Sequence, residues 1–548
     1  MNSRYLWLLL GALVTVAPAF CQPLIGPDGV VNSASFAPAR SPGGAVAQGS
    51  IFSIFGTGLG PATGVQPTAF PLLTTLGGVS VKVTQGNTSV DAIPLYASAG
   101  LVNAIMPSNA PTGRVSVRVT YNGTAGNFAP VRIAVNAPGI YSATGAGLGP
   151  GILQNFVSAT VQPINSAFVT ATPGQTMILW LTGLGPIKAP DNLAPPVGSL
   201  SFPVEIWVGG KQVTNIAYSG RTPCCAGVDQ VVFTLPANVP AGCFVPVTVR
   251  VAGTAVGNTV TMAIDANGSA CSDSANPLSG PLTQGGKLGA VGLMRTSLHS
   301  DSGTFPDITA DRAVAAFNVP VGAVGFIFNA AVAIPPAGSC TVYSAAGNIA
   351  GETPLFAFNT RVMDAGTLTL TAASGRQTFS KVTLGSPVYS TTQGSSLSGS
   401  PPLYVNPGLF QISGAGGSDV SAFNLSLTVS ATGLNWTNSN QIQSVDRTQP
   451  LNFTWSGTAG AVVITGSAYD VPNNLSGEFL CVAPTGATSF SVPSWVLANL
   501  PPSQTIAANS RNRFGVTGVS SPVSFTASGL DNGIGLVVSA QQKALSVR

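Results

Sequence analysis

The chain has 548 residues, enough for three or four domains, and only 7% of them are charged against roughly 25% in ordinary soluble proteins. Apolar residues make up 45% and the net charge of +4 is spread thinly, which argues against a disordered chain and against a basic groove that follows nucleic-acid phosphates. The 65 glycines and 43 prolines then read as turns in an all-β chain.

In chain order, residues 1–21 read as an export signal. Arg4 gives the positive start, Leu6 to Val16 the apolar segment, and Ala17-Pro18-Ala19 or Ala19-Phe20-Cys21 the small-residue cleavage site. Lipid attachment at Cys21 is disfavoured because Phe20 is too bulky for the usual lipobox. The expected location is therefore secreted or cell surface. Residues 22–137 follow as a first β-sandwich, in which Val79, Val81 and Val83 alternate with Ser80, Lys82 and Thr84 as in a half-buried strand.

This first unit is echoed. Gly56-Thr57-Gly58-Leu59-Gly60-Pro61 returns as Leu181-Thr182-Gly183-Leu184-Gly185-Pro186, a shift of 125 positions. Val79–Val83 falls on Val204–Val208 at the same shift, Asn103–Pro107 on Val232–Pro236 at 129, and Val115–Val119 on Val247–Val251 at 132. A slowly growing offset is the mark of a duplication whose loops took insertions while its strands did not. The second sandwich is expected over 173–265, after a connecting segment at 138–172, and 266–286 reads as a linker of small polar residues.

The second half repeats nothing from the first but still reads β, with strands at Val314–Phe317, Ala323–Phe328, Thr341–Tyr343 and Thr367–Leu370. Ala313 to Pro335 is charge-free, yet its prolines and glycines point to two buried strands and a turn rather than to a membrane span, so none is expected after signal cleavage. The boundary between a β-rich domain at 287–400 and a β-sandwich at 401–548 is expected in the Ser/Gly/Pro stretch Gly394–Pro402. Beyond it, Phe423, Leu425 and Leu427 alternate, as do Leu451, Phe453 and Trp455, and Pro493–Leu500 is the one expected short helix.

Gly49–Gly60 resembles the opening of TIG/IPT domains. Together with Gly29–Phe36, Ala137–Tyr141 and Gly227–Gln230 it resembles more closely a paralogous family of exported proteins of Solibacter-type soil bacteria, over residues 28–265. The second half resembles the same group less, through Asp364-Ala365-Gly366 and Leu434–Asn438. The resemblance implies tandem immunoglobulin-like β-sandwich domains and export, and it implies no activity.

Catalytic chemistry is thin. The single histidine, His299, lies in a Ser- and Asp-rich loop with no nucleophile motif around it, and reads as a solvated loop histidine. Asp301, Asp307 and Asp311 cluster nearby and read as loop acids, with a weak calcium site or paired-carboxylate hydrolysis as alternatives. No zinc spacing is present, the Gly-x-Gly fragments open no helix, and no cofactor or metal is expected. Among the aromatics, Trp180 and Trp455 read as core, whereas Trp207 shares its strand face with Glu205 and reads as packing against the neighbouring module or as a ligand platform.

Six cysteines remain beyond Cys21, an even number that reads as disulfides in an exported chain. In an immunoglobulin-like second module the strand after Cys243 runs antiparallel to the next one, whose end returns near Cys243, so Cys243 is expected to pair with Cys271. Cys340 then pairs with Cys481 by elimination, and Cys224 with Cys225 as neighbours in a loop whose counterpart in the first module, Ser98-Ala99-Gly100, has no cysteine. That loop, with Arg221 and Asp229 as polar neighbours and Trp207 elsewhere on the module, forms the candidate ligand-binding set; a plain loop staple is the alternative. The function expected is structural or adhesive, a surface-interaction role without catalysis. The alternatives are binding of an extracellular polysaccharide or protein surface, and an unrecognised hydrolase.

Overall fold

The computed structural model describes residues 22–273, 275–299, 307–330, 332–347, 360–382, 388–457, 459–504 and 512–548. The export signal and Cys21 lie outside them, as does Asp301. The described chain is all-β, with strands throughout and only short helices, and it is built of sandwiches.

The first module is an immunoglobulin-like sandwich whose two sheets share one strand. Thr88–Ala97 pairs through Ala92 and the residues before it with Val79–Gln85, then through Ile93 to Ala97 with Leu101–Ile105. The register shifts between Pro94 and Tyr96, where proline cannot donate to a ladder and the strand turns from one sheet to the other. Val79, Val81 and Val83 are buried between the sheets with Val115, Val117 and Val119, the alternation read from the sequence.

The second module repeats this connectivity. Leu24–Asn32, Ile51–Thr57, Leu101–Ile105 and Thr88–Ala97 lie side by side in the first module; Gly139–Ile140, Thr176–Thr182, Asp229–Thr234 and Ile216–Arg221 take the same order in the second. The echoed hexamers end the corresponding strands, Ile51–Thr57 and Thr176–Thr182, at the same 125-position shift. One expected boundary changes. The segment 138–172 is no connection between modules, because Gly139–Ile140 and Leu153–Asn155 both pair with Thr176–Thr182 and belong to the second module's sheet. The linker at 266–286 is likewise fastened, since Cys271 is bonded to Cys243 and Ser279–Thr283 forms a helical turn with Leu282 buried.

The second half does not divide at residue 400. A single sheet runs in the order Ser339–Ala346, Leu475–Val482, Ala461–Asp470, Arg513–Val519, Asn532–Lys543, Leu288–His299, Ile308–Pro320. Strands from before residue 400 hold both flanks and strands from after it fill the middle. The near-terminal Asn532–Lys543 lies parallel to Leu288–His299 over twelve paired positions, which is what interleaves the two regions. Two cores pack on this sheet, one around Phe317, Phe423 and Phe525, the other around Trp436, Trp455 and Trp495. Among the described residues, the stretch Ala313 to Pro335 gives one strand, not two: after Pro320 the chain turns at Gly322 and Gly325 (φ +85°) and buries Ile327 and Phe328 as a loop. The expected helix appears as one turn, Ser494–Leu497.

Candidate functional site

The candidate set centres on the hairpin between Ile216–Arg221 and Asp229–Thr234. Arg221 and Asp229 are register partners at its base, with the loop 222–228 above them. Both are buried, at 1% and 0% exposure, and the two side chains form an ion pair. The second guanidinium nitrogen of Arg221 donates to the Gly49 carbonyl of the first module at 2.6 Å and to the Gly185 carbonyl at 2.8 Å. Asp229 Oδ2 accepts the Leu184 backbone N–H at 2.8 Å. Burial pushes the Asp229 carboxyl up while Arg221 and the Leu184 N–H pull it down.

This arrangement explains the echoed hexamer. In the first module the Leu59 N–H is held by the Ala99 carbonyl at 3.0 Å and the Gly56 N–H by the Gly100 carbonyl at 3.2 Å. In the second, the equivalent Leu184 N–H is held by the Asp229 side chain, at the position aligned with Gly100. The second copy has exchanged a carbonyl for a carboxylate, and the charge brought in recruits Arg221, which reaches across to Gly49. Gly49 sits at φ +71° with Arg221 packed where a Cβ would stand, so the approach requires glycine.

Arg221 and Asp229, expected as polar neighbours of a ligand, are instead buried and spent on joining the two modules. Pro223, Cys224 and Cys225 above them are exposed, and the two cysteines are bonded to each other. Ala226 and Val228 turn inward, onto Ile51, Leu72, Ile93 and Ile105 of the first module. A relay completes the contact: Thr182 Oγ1 donates to the Gly227 carbonyl at 2.6 Å and accepts the Ile51 N–H at 3.0 Å. Thr182, Gly227 and Ile51 escaped the sequence reading. The clue available there was the placement of Arg221 and Asp229 on either side of one loop.

Trp207 belongs to the other sheet, on Val204–Val208, apart from the cysteine loop. Its ring stacks on Trp495 of the second half with centroids 5.8 Å apart, and Arg250 lies over it at 5.0 Å, held in turn by Glu205. Of the two expectations for Trp207, packing is the one observed, and the C-terminal core is what it packs against. Trp180 is half-buried and donates to Gln154 Oε1 at 2.8 Å, while Trp455 is core at 4% exposure.

The acidic region near His299 also resolves. Asp311 is fully buried and accepts both Arg295 nitrogens at 2.7 Å together with the Tyr404 and Val405 N–H groups, a structural hub with its acceptor capacity filled. His299 Nδ1 lies 2.9 Å from exposed Asp307. Among the described residues no three His, Cys, Asp or Glu side chains gather as a metal would need. The other two disulfides join Cys243 to Cys271 and Cys340 to Cys481, the latter pair directly opposite each other on adjacent strands.

An open cleft of about 430 Å³ lies beside the same module junction, lined by Asp91, Ile93, Asn109, Lys188, Pro190 and Asp191. One wall is the loop 187–192, strapped to the first module where Asp191 accepts the Ser108 N–H at 2.7 Å and the Ser108 hydroxyl at 2.8 Å.

No protein-family model matches this chain, and no curated protein does. Among solved structures, alpha-2-macroglobulin of Salmonella is similar over 95% of this chain at 10% identity and a TM-score of 0.15, and the chain spans about 30% of that protein's length. SGBP-B from a complex xyloglucan utilization locus in Bacteroides uniformis covers 96% of this chain and 94% of its own at 9% identity and a TM-score of 0.15. SGBP-B of the Bacteroides ovatus mixed-linkage glucan utilization locus, in complex with a mixed-linkage heptasaccharide, covers 87% and 95% at 12% identity and a TM-score of 0.13. TM-scores this low carry no argument about arrangement or ligand.

Proposed function

We propose that the protein is an extracellular structural or adhesive protein, whose tandem modules act as one stiff body presenting β-sheet surfaces to partners. The observation that carries this is the Arg221 bridge: a buried guanidinium holding the first module's Gly49 carbonyl and the second module's Asp229 and Gly185 at once. Modules meant to move independently are joined by small, wet, polar contacts; these share a buried guanidinium whose hydrogen bond to the Gly49 carbonyl is lost if they part. Bonded cysteines suit an oxidising compartment, and among the described residues no helix is long and apolar enough to cross a membrane. Export by an N-terminal signal and kinship with the Solibacter-type exported proteins belong to the same reading.

Pulling the full chain end to end in a single-molecule experiment tests it. Residues 22–265 should yield as one mechanical event; two separate events of module size would end the proposal. A second reading, binding of a neutral saccharide, is favoured by the cleft of about 430 Å³, whose size and mixed donors and acceptors suit a small sugar. Saturable binding on an array of extracellular polysaccharides, abolished by Asn109→Ala in the exposed lining of the cleft, would select it.

A further inference from the structure

The disulfides divide by exposure. Cys243 and Cys271 are 5% and 8% exposed, Cys340 and Cys481 2% and 0%, whereas Cys224 and Cys225 both face solvent at the tip of their loop. Thiol–disulfide exchange needs an attacking thiolate to reach a sulfur, so access sets which bond reacts. The exposed bond is also the one next to a module contact. Ala226, Gly227 and Val228 follow it directly and form the plug in the first module's Ile51, Leu72, Ile93 and Ile105 cluster. Gly227 has φ +75°, and a Cβ there would stand 2.7 Å from Ile51, so the plug is seated with no spare room. Two backbone bonds close the loop over it, Thr222 N–H to the Val228 carbonyl at 3.1 Å and Val228 N–H to the Cys225 carbonyl at 3.3 Å.

We propose that Cys224–Cys225 is a thiol-exchange site for an external dithiol, and that its reduction loosens the plug between the modules. A thiolate of the dithiol attacks one of the two sulfurs, forms a mixed disulfide and releases the other cysteine as a thiolate. The second thiol of the reagent then attacks the reagent sulfur of that mixed disulfide and releases the remaining cysteine. Two electrons pass to the protein, the dithiol leaves as its own disulfide, and its two protons end on Cys224 and Cys225. Opening the small ring frees the backbone torsions between the two cysteines, immediately before Ala226, so the order lost is local to the loop and the groups it holds. The Arg221 bridge remains, so this inference can fail while the stiff-body reading stands.

The test uses the full oxidised chain, titrated with dithiothreitol, with alkylated cysteines followed by peptide mass spectrometry and amide hydrogen exchange measured at each stage. Cys224 and Cys225 should become alkylated at least about tenfold faster than the other four cysteines, as access dictates. At that stage the amides of Thr222, Val228 and Ile51 should lose protection by roughly tenfold while that of Val249 keeps it, as expected of local rather than global opening. Opening of Cys243–Cys271 or Cys340–Cys481 first, or unchanged protection at Ile51 once Cys224–Cys225 is open, would overturn the proposal. A Cys224→Ser, Cys225→Ser variant should show the same loss without dithiol, and retained protection there would overturn it as well; the partially reduced native chain carries the test if the variant does not fold.

Discussion

Arg221→Met is the most informative single change. The side chain is 1% exposed and makes three buried contacts, to Asp229, to the Gly49 carbonyl and to the Gly185 carbonyl. Methionine fills much of the volume and leaves all three acceptors short of a donor. Breaking a buried ion pair by removing one partner costs about 3–5 kcal/mol, because the remaining charge is stranded. Taking about 4 kcal/mol, and about 2–4 °C per kcal/mol for a unit of 150–250 residues, the melting temperature of the joined modules should fall by roughly 8–16 °C. The deficit depends on pH. Burial already pushes the Asp229 carboxyl up, and without Arg221 only the Leu184 and Gly183 backbone N–H groups oppose it. An acid whose folded pKa is raised contributes stability that is full below its unfolded value of about 4 and is lost as pH rises through the folded value. The variant should therefore lie nearest to the native protein near pH 4 and furthest from it at neutral pH. Adding Asp229→Asn should restore part of the loss at neutral pH by removing the stranded charge. Calorimetry across that range is the assay; a loss under about 1 kcal/mol, flat with pH, would refute the reasoning, since it is no more than a neutral hydrogen bond contributes.

Three further outcomes are expected. Trp207→Ala removes the stack on Trp495 and the seat of Arg250, and should lower the urea stability of the contact with the second half by about 2 kcal/mol, with Trp495 fluorescence shifting to the red; unchanged emission would count against the contact. Cys340→Ala with Cys481→Ala opens a link spanning 141 positions and should cost about 2–5 kcal/mol in denaturant unfolding. Asp364 is held well below the usual carboxylate range by Lys381, with the Ser418 and Gly366 N–H groups adding to it. A lowered acid contributes stability that is present above its unfolded value of about 4 and is lost as pH falls, so Asp364→Asn should flatten the acid limb of the stability profile, and a variant keeping the native limb would contradict this.

The amino-acid sequence by itself determined the fold class and the duplication, because strand alternation and turn residues are local signals. Val79, Val81 and Val83 declare a buried face within a few residues, and the two glycine hexamers mark the same strand end in each copy. The pairing of Cys243 with Cys271 was legible for the same reason: adjacent antiparallel strands bring nearby positions together. Tertiary structure alone decided what those signals do not reach. Nothing near residue 400 reveals that Asn532–Lys543 lies against Leu288–His299, since strand partners far apart in the chain leave no local trace. For Trp207 packing and a ligand platform both stayed open, because alternation names the face a side chain takes, not what covers that face. Arg221 and Asp229 looked like ligand contacts because charge near a loop usually means solvent. Only the approach of Gly49 from another module, 172 positions away, removes the water and turns them into a joint.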